Sequence, residues 1–179
     1  MDLFSTYWYL DSMRSRQKSM AYLSAYERHL EKFRNKSPLM FEIGCGYPQS
    51  VQPEGALGMG GSLEMFAHWL GNGSRIIGID IIAECKEFED PSKGICIEIG
   101  SQDDKQFMKS LVEKYGEPDI ILDDGSHIET HMFKSMEILY PELKTGGVYI
   151  VEDCGGSHLN TLPGEEPKSF TSPEKFYAK

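Results

Sequence analysis

Several signals are missing from this 179-residue chain. It has no lysine- or arginine-rich stripe, and its formal net charge is −10. Both facts argue against nucleic acid as its partner. No apolar run approaches the roughly 20 residues of a membrane span. No basic stretch followed by an apolar one opens the chain, so neither membrane attachment nor a signal peptide is expected. The four cysteines, Cys45, Cys85, Cys96 and Cys154, are scattered without a C-x-x-C pair, which excludes the usual zinc patterns. Three of them sit in or beside apolar runs and read as small core residues, and none demands an oxidising compartment, so a cytoplasmic location is expected. There is no internal repeat and no low-complexity tract.

What remains is ordinary globular material, 40% hydrophobic and 26% charged. Its length favours a single domain with a sizeable core. An aromatic segment (Phe4, Tyr7, Trp8, Tyr9) precedes a stretch from Met13 to Phe33 with apolar residues at Met20, Leu23, Tyr26, Leu30 and Phe33. That spacing marks one face of a helix. Five short apolar runs follow: Leu39–Ile43, Arg75–Asp80, Ile95–Ile99, Asp119–Asp123 and Gly147–Glu152. Helical patterns lie between several of them, the last opening on a Ser126/Glu129 capping-box pattern. Alternation of this kind predicts βαβ units and a parallel sheet in an α/β fold. The expected division is 1–37 as N-terminal segment and helix, 38–154 as a Rossmann-like domain, and 155–179 as a loop-like tail.

Parallel sheets bind ligands beyond the carboxyl ends of their strands, so chemistry is sought there. The first strand ends Glu42-Ile43-Gly44-Cys45-Gly46, and its two glycines would let backbone approach a ligand. The third glycine of a dinucleotide fingerprint is absent. The residues from Tyr47 to Gly61 read as a long Gly- and Pro-containing loop. Asp80 ends the second strand, where an acid can bind a ribose diol or cap a turn. Gln102 and Asp103 follow the third, placed to line an adenine pocket, although Asp103 or Asp104 could equally be a helix N-cap.

The sharpest pattern is Asp123-Asp124-Gly125-Ser126-His127 after strand four, beside Glu152-Asp153 after strand five. In the order 3-2-1-4-5 these strands are neighbours, and acids crowded together ask for a shared cation. Asp124, Glu152 and Asp153 form a ligand set, with Asp123 as a substitute, unless the acids are merely caps and loop acids. His127 reads as a base beside the metal and His131 as a surface histidine. Tyr140 and Lys144 have the Y-x-x-x-K spacing of some NAD(P) oxidoreductases but fall at the wrong end of the sheet.

Glu42-Ile-Gly-Cys-Gly46, Gly78-Ile-Asp80, Asp123-Asp-Gly-Ser-His127 and Gly147-Val-Tyr-Ile-Val-Glu-Asp153 together resemble the metal-dependent sugar O-methyltransferases of macrolide biosynthesis. The cephalosporin-cluster methyltransferases look similar. The resemblance runs from about Tyr26 to Asp153. It implies a class I methyltransferase sheet, S-adenosyl-L-methionine and Mg²⁺ (or another divalent cation) as cofactors, and a small-molecule hydroxyl acceptor, glycosylated. It assigns Asp124, Glu152 and Asp153 to the metal and His127 to proton removal. Glu42, Gly44, Gly46, Asp80, Gln102, Asp103 and Asp123 are the cofactor-binding candidates. That family continues past its Glu-Asp pair with more helix and a closing hairpin, more than Cys154–Lys179 can supply. An uncovered fifth strand, an incomplete acceptor pocket and a homo-oligomer covering the edge or the aromatic N-terminal segment are therefore expected. The alternatives are a silent cofactor- or partner-binding domain and an NAD(P) oxidoreductase.

Overall fold

In the computed structural model all five apolar runs become strands, and the structure describes residues 2–9, 20–46, 60–154 and 176–178. The elements run α1 (Leu3–Tyr9), α2 (Met20–Leu30), β1 (Leu39–Ile43), α3 (Gly61–Leu70), β2 (Arg75–Asp80) and β3 (Ile95–Ile99). Then come α4 (Lys105–Tyr115), β4 (Ile120–Asp123), α5 (Glu129–Leu139), β5 (Val148–Val151) and β6 (Phe176–Ala178). The expected loops at 47–59 and 155–175, and the first turns expected of the second helix at 13–19, lie outside the described residues.

The sheet order is β3-β2-β1-β4-β5-β6. The first five strands are parallel, with β1 central between β2 and β4. Because successive strand residues point to opposite faces, each strand feeds two layers. Met40, Ile76, Ile97, Ile120, Leu122 and Ile150 pack under α1, α2 and α3, with Leu23, Tyr26, Phe66 and Leu70. Phe41, Ile43, Ile77, Ile79, Ile121 and Tyr149 pack under α4 and α5, with Met108, Leu111 and Leu139. Burial on both faces explains why these strands read as continuous apolar runs rather than alternating ones.

Three expectations need correction. The fifth strand is not an edge: β6 pairs antiparallel with it, Val148 opposite Ala178 and Ile150 opposite Phe176. The span 155–179 is thus not loop throughout. The aromatic N-terminal segment is also engaged within the chain, since Leu3 and Tyr7 are buried in the helical layer. Finally, Ser126 does not cap α5. The helix starts at Glu129 with Ile128 in the cap position and no side-chain cap bond, because Ser126 Oγ instead accepts from the Ile128 N–H at 3.2 Å. Asp104 does cap α4, accepting from the N–H groups of Gln106 and Phe107. Among the described residues no helix is long and apolar enough to cross a membrane.

Candidate cofactor and metal site

At the carboxyl rim of the sheet lies a cavity of about 650 Å³. Every parallel strand contributes to it. β1 supplies Gly44, Cys45 and Gly46; β2 supplies Asp80; β3 supplies Gly100, Ser101 and Gln102; β4 supplies Asp124 to His127; β5 supplies Glu152 and Asp153. Of the residues singled out in the sequence, Gly44, Gly46, Asp80, Gln102, Asp124, His127, Glu152 and Asp153 line it.

Glu42, Asp103 and Asp123 do not. Glu42 is fully buried within β1. Asp103 is drawn away by Ser101 Oγ at 2.6 Å and Lys134 Nζ at 3.2 Å. Asp123 lies beneath the floor, fully buried, where it accepts from Gln102 Nε2 at 3.1 Å, Tyr149 OH at 3.4 Å, the Gly125 N–H at 3.3 Å and Ser135 Oγ. Burial pushes its carboxyl above the ordinary carboxylate range, against the pull of those donors. The acid is a structural hub that ties β3, β4, α5 and β5 together.

Asp80 holds the β1 rim in place. Its Oδ2 accepts from the Cys45 N–H at 2.8 Å and its Oδ1 from the Ile82 N–H at 2.9 Å. Gln102 joins the cavity wall to the next loop, accepting from the Ser126 N–H at 2.8 Å through Oε1 while its amide nitrogen serves Asp123. Gly44 has a further reason to be glycine. It sits at φ 88, and a Cβ there would lie 2.1 Å from the Asp124 backbone oxygen. The neighbouring strand end approaches it closely. The thiols of Cys45 and Cys85 are both pushed up by burial, Cys85 to about 12. Neither is a thiolate nucleophile at neutral pH.

The acidic corner is built by three elements. His127 Nε2 stands 3.9 Å from Asp124 Oδ1 and 4.0 Å from Asp153 Oδ2. One ligand atom from each of these residues lies within 4.8 Å of the others. An ion held at about 2.1 Å spaces its ligand atoms roughly 3–4 Å apart, so this corner needs only a small contraction to hold a divalent cation. His127 and Asp153 both have left-handed backbones, φ 55 and φ 50. For non-glycine residues that costs about 1–2 kcal/mol each, and such strain gathers at ligand sites. Glu152 is nearly fully buried and accepts from Tyr26 OH, while Asp153 accepts from Tyr22 OH through Oδ1. Burial, reinforced by the adjoining acids, raises both phenols above their ordinary value, which keeps them protonated donors.

The geometry thus groups His127 with Asp124 and Asp153 more tightly than the expected Asp124, Glu152 and Asp153 set. Sequence reasoning missed Tyr22 and Ser62 as wall residues, and His131, read as a surface side chain, also lines the cavity. Tyr26 was visible only as part of an apolar helical face. Its hydroxyl was the available signal, since a buried phenol normally finds a polar partner. Tyr140 and Lys144 do fall at the opposite end of the sheet, Lys144 Nζ pairing with Asp119 ahead of β4 at 2.8 Å.

No family model matches the chain. Demethylmacrocin O-methyltransferase of Streptomyces fradiae is 38% identical over 140 residues, 78% of this chain and 33% of that protein. L-olivosyl-oleandolide 3-O-methyltransferase of Streptomyces antibioticus is 35% identical over 133 residues, 74% of this chain and 32% of that one. The chain therefore spans about a third of the length of the curated relatives it matches. MycE, a methyltransferase of the mycinamycin biosynthetic pathway in complex with Mg, SAH and mycinamycin VI, superposes with a TM-score of 0.69 at 29% identity, over 84% of this chain and 36% of MycE. Over that shared third, sequence and sheet order together make the chain a homologue of the sugar O-methyltransferases of macrolide glycosides, built on the class I methyltransferase fold.

Proposed function

We propose that the chain carries the cofactor- and cation-binding core of an S-adenosylmethionine-dependent O-methyltransferase that acts on a sugar hydroxyl of a glycosylated small molecule. One observation carries this reading: five strand ends meet in a single cavity, and the Asp124, His127 and Asp153 cluster lines it together with Asp80 and Gln102. A bound S-adenosylmethionine supplies a methyl sulfonium, and a bound divalent cation lowers the pKa of the acceptor hydroxyl.

The chain's own residues do the rest. Asp80, fixed by two backbone amides, keeps further lone pairs for a ribose diol. Gly100, Ser101 and Gln102 form the wall on the adenine side. Asp124, Asp153 and the adjacent Glu152 offer hard oxygen ligands, suited to Mg²⁺. His127 Nε2, directed at the same corner, takes the proton of the acceptor hydroxyl. Holding oxygen, carbon and sulfur in line is then catalysis by positioning.

Titration calorimetry with S-adenosylhomocysteine, with and without Mg²⁺, tests the reading. Binding should be saturable, and Asp80→Ala should weaken it by about 1–3 kcal/mol. Mg²⁺ should bind to the wild-type chain and lose affinity in Asp124→Asn. Failure to bind S-adenosylhomocysteine, or turnover insensitive to chelator, would overturn the proposal.

A further inference from the structure

The second helix reaches the acidic corner with two side chains of one kind. Tyr22 and Tyr26 stand one turn apart on α2, which puts both hydroxyls on one face. Their partners are consecutive: Tyr26 OH donates to Glu152 Oε1 and Tyr22 OH to Asp153 Oδ1. Successive residues along a strand point to opposite faces. Glu152 and Asp153 lie past the end of β5, and Asp153 has a left-handed backbone, so that alternation does not hold here and one helix reaches both acids.

We propose that Tyr22 and Tyr26 are positioning residues of the cation site, so that α2, far from the strand ends in sequence, sets its affinity. The inference rests on the proposed function. A carboxylate has two oxygens, and one that ligates through a single oxygen is aimed by whatever holds the other. Tyr22 occupies Asp153 Oδ1, while Oδ2 is the oxygen that faces His127 Nε2 at 4.0 Å. Asp153 is half exposed, so packing does little to hold its rotamer. Tyr26 acts on Glu152 in the buried part of the corner, where a carboxylate needs donors to be tolerated at all. Each tyrosine acts through the acid it holds.

The test is Mg²⁺ titration calorimetry on the full chain saturated with S-adenosylhomocysteine, comparing wild type, Tyr22→Phe and Tyr26→Phe. Phenylalanine keeps the ring and removes only the hydroxyl. Loss of such an outer partner weakens metal binding about 10–100-fold. That loss is expected in Tyr22→Phe, and in Tyr26→Phe if the variant folds, with S-adenosylhomocysteine affinity measured without metal unchanged. Wild-type Mg²⁺ affinity in Tyr22→Phe would overturn the inference alone. So would a parallel loss of cofactor and cation affinity, which marks general damage. A wild-type chain that binds S-adenosylhomocysteine but takes up no Mg²⁺ would overturn the cation part of the proposed function and this inference with it. Thermal unfolding of Tyr22→Phe separates positioning from support, because a purely structural hydroxyl would lower the melting temperature and leave Mg²⁺ affinity alone.

Discussion

Replacing Asp123 by alanine strands donors that the fold has brought to one buried carboxylate. Four groups point at it: Gln102 Nε2, Ser135 Oγ, Tyr149 OH and the Gly125 N–H. Not all are orphaned. Ser135 Oγ can turn fully to the Met132 carbonyl at 3.0 Å, and either Gln102 or Tyr149 can then use Ser135 Oγ, each 3.4 Å away. About two donors remain without an acceptor, at about 1–3 kcal/mol each, offset in part by no longer burying a charge. The expected loss is about 2–5 kcal/mol, which in a chain of this size lowers the melting temperature by roughly 4–20 °C. Asp123→Asn keeps one acceptor oxygen and should lose about 1 kcal/mol. Differential scanning calorimetry reads both, and S-adenosylhomocysteine titration on the surviving Asn variant supplies the decisive comparison. If Asp123 only organises the floor, that variant binds nearly as tightly as wild type. A Asp123→Asn protein with an unaltered melting temperature and an affinity 10–100-fold weaker would refute the reasoning and return Asp123 to the cofactor's own ligands.

Three further perturbations separate roles elsewhere. His127→Ala should leave Mg²⁺ and S-adenosylhomocysteine bound while cutting turnover about 10²–10⁴-fold, with partial recovery at higher pH; lost Mg²⁺ affinity would instead make His127 a ligand, as its distances to Asp124 and Asp153 allow. Gly44→Ala should cost about 2–5 kcal/mol by denaturant titration, from the left-handed φ and the collision with the Asp124 carbonyl, and a wild-type midpoint would show that the two rims part easily. The Ile97 N–H and then Lys86 hold the Glu89 carboxyl below its usual 4.5. Its folded value lies below its unfolded one, so the stabilisation is present above about 4.5 and fades as pH falls through the folded value. Glu89→Gln should therefore trail wild type in melting temperature at neutral pH and converge with it in acid, and a constant gap would contradict the assignment.

The strands were legible because burial on both faces forces continuous apolar runs. β1, β2 and β3 occupy the residues expected of them, β4 starts one residue later, and β5 is one residue shorter at each end. The convergence of β4 and β5 ends followed from sheet order alone, and so Asp124, Glu152 and Asp153 could be placed before any coordinates. Other features depend on partners that periodicity does not reveal. Asp123 and Asp124 are adjacent acids of equal prominence in the sequence, yet the strand's last residue turns into the core and the next one into the cavity. β6 has three paired residues, too few to stand out from a polar, Pro-containing stretch. Tyr22 and Tyr26 read as apolar helix positions because a phenol's ring and hydroxyl answer to different rules, and only the packing of α2 shows which one matters.

The central place of β1 has a consequence for the chain while it is being made. Its pairing with β2 needs residues only some thirty to forty positions ahead, but Leu39 meets Asp119, 80 residues later, on its other side. At about 5–20 residues per second the ribosome takes about 4–16 s to deliver that partner. For that time a strand of Leu, Met, Phe, Glu and Ile holds one hydrogen-bonding edge open, and an open apolar edge invites pairing with other chains. Slower synthesis at high expression lengthens the exposure, so the yield of soluble protein should depend on how fast translation passes residue 123 and on what shields the nascent sheet until then.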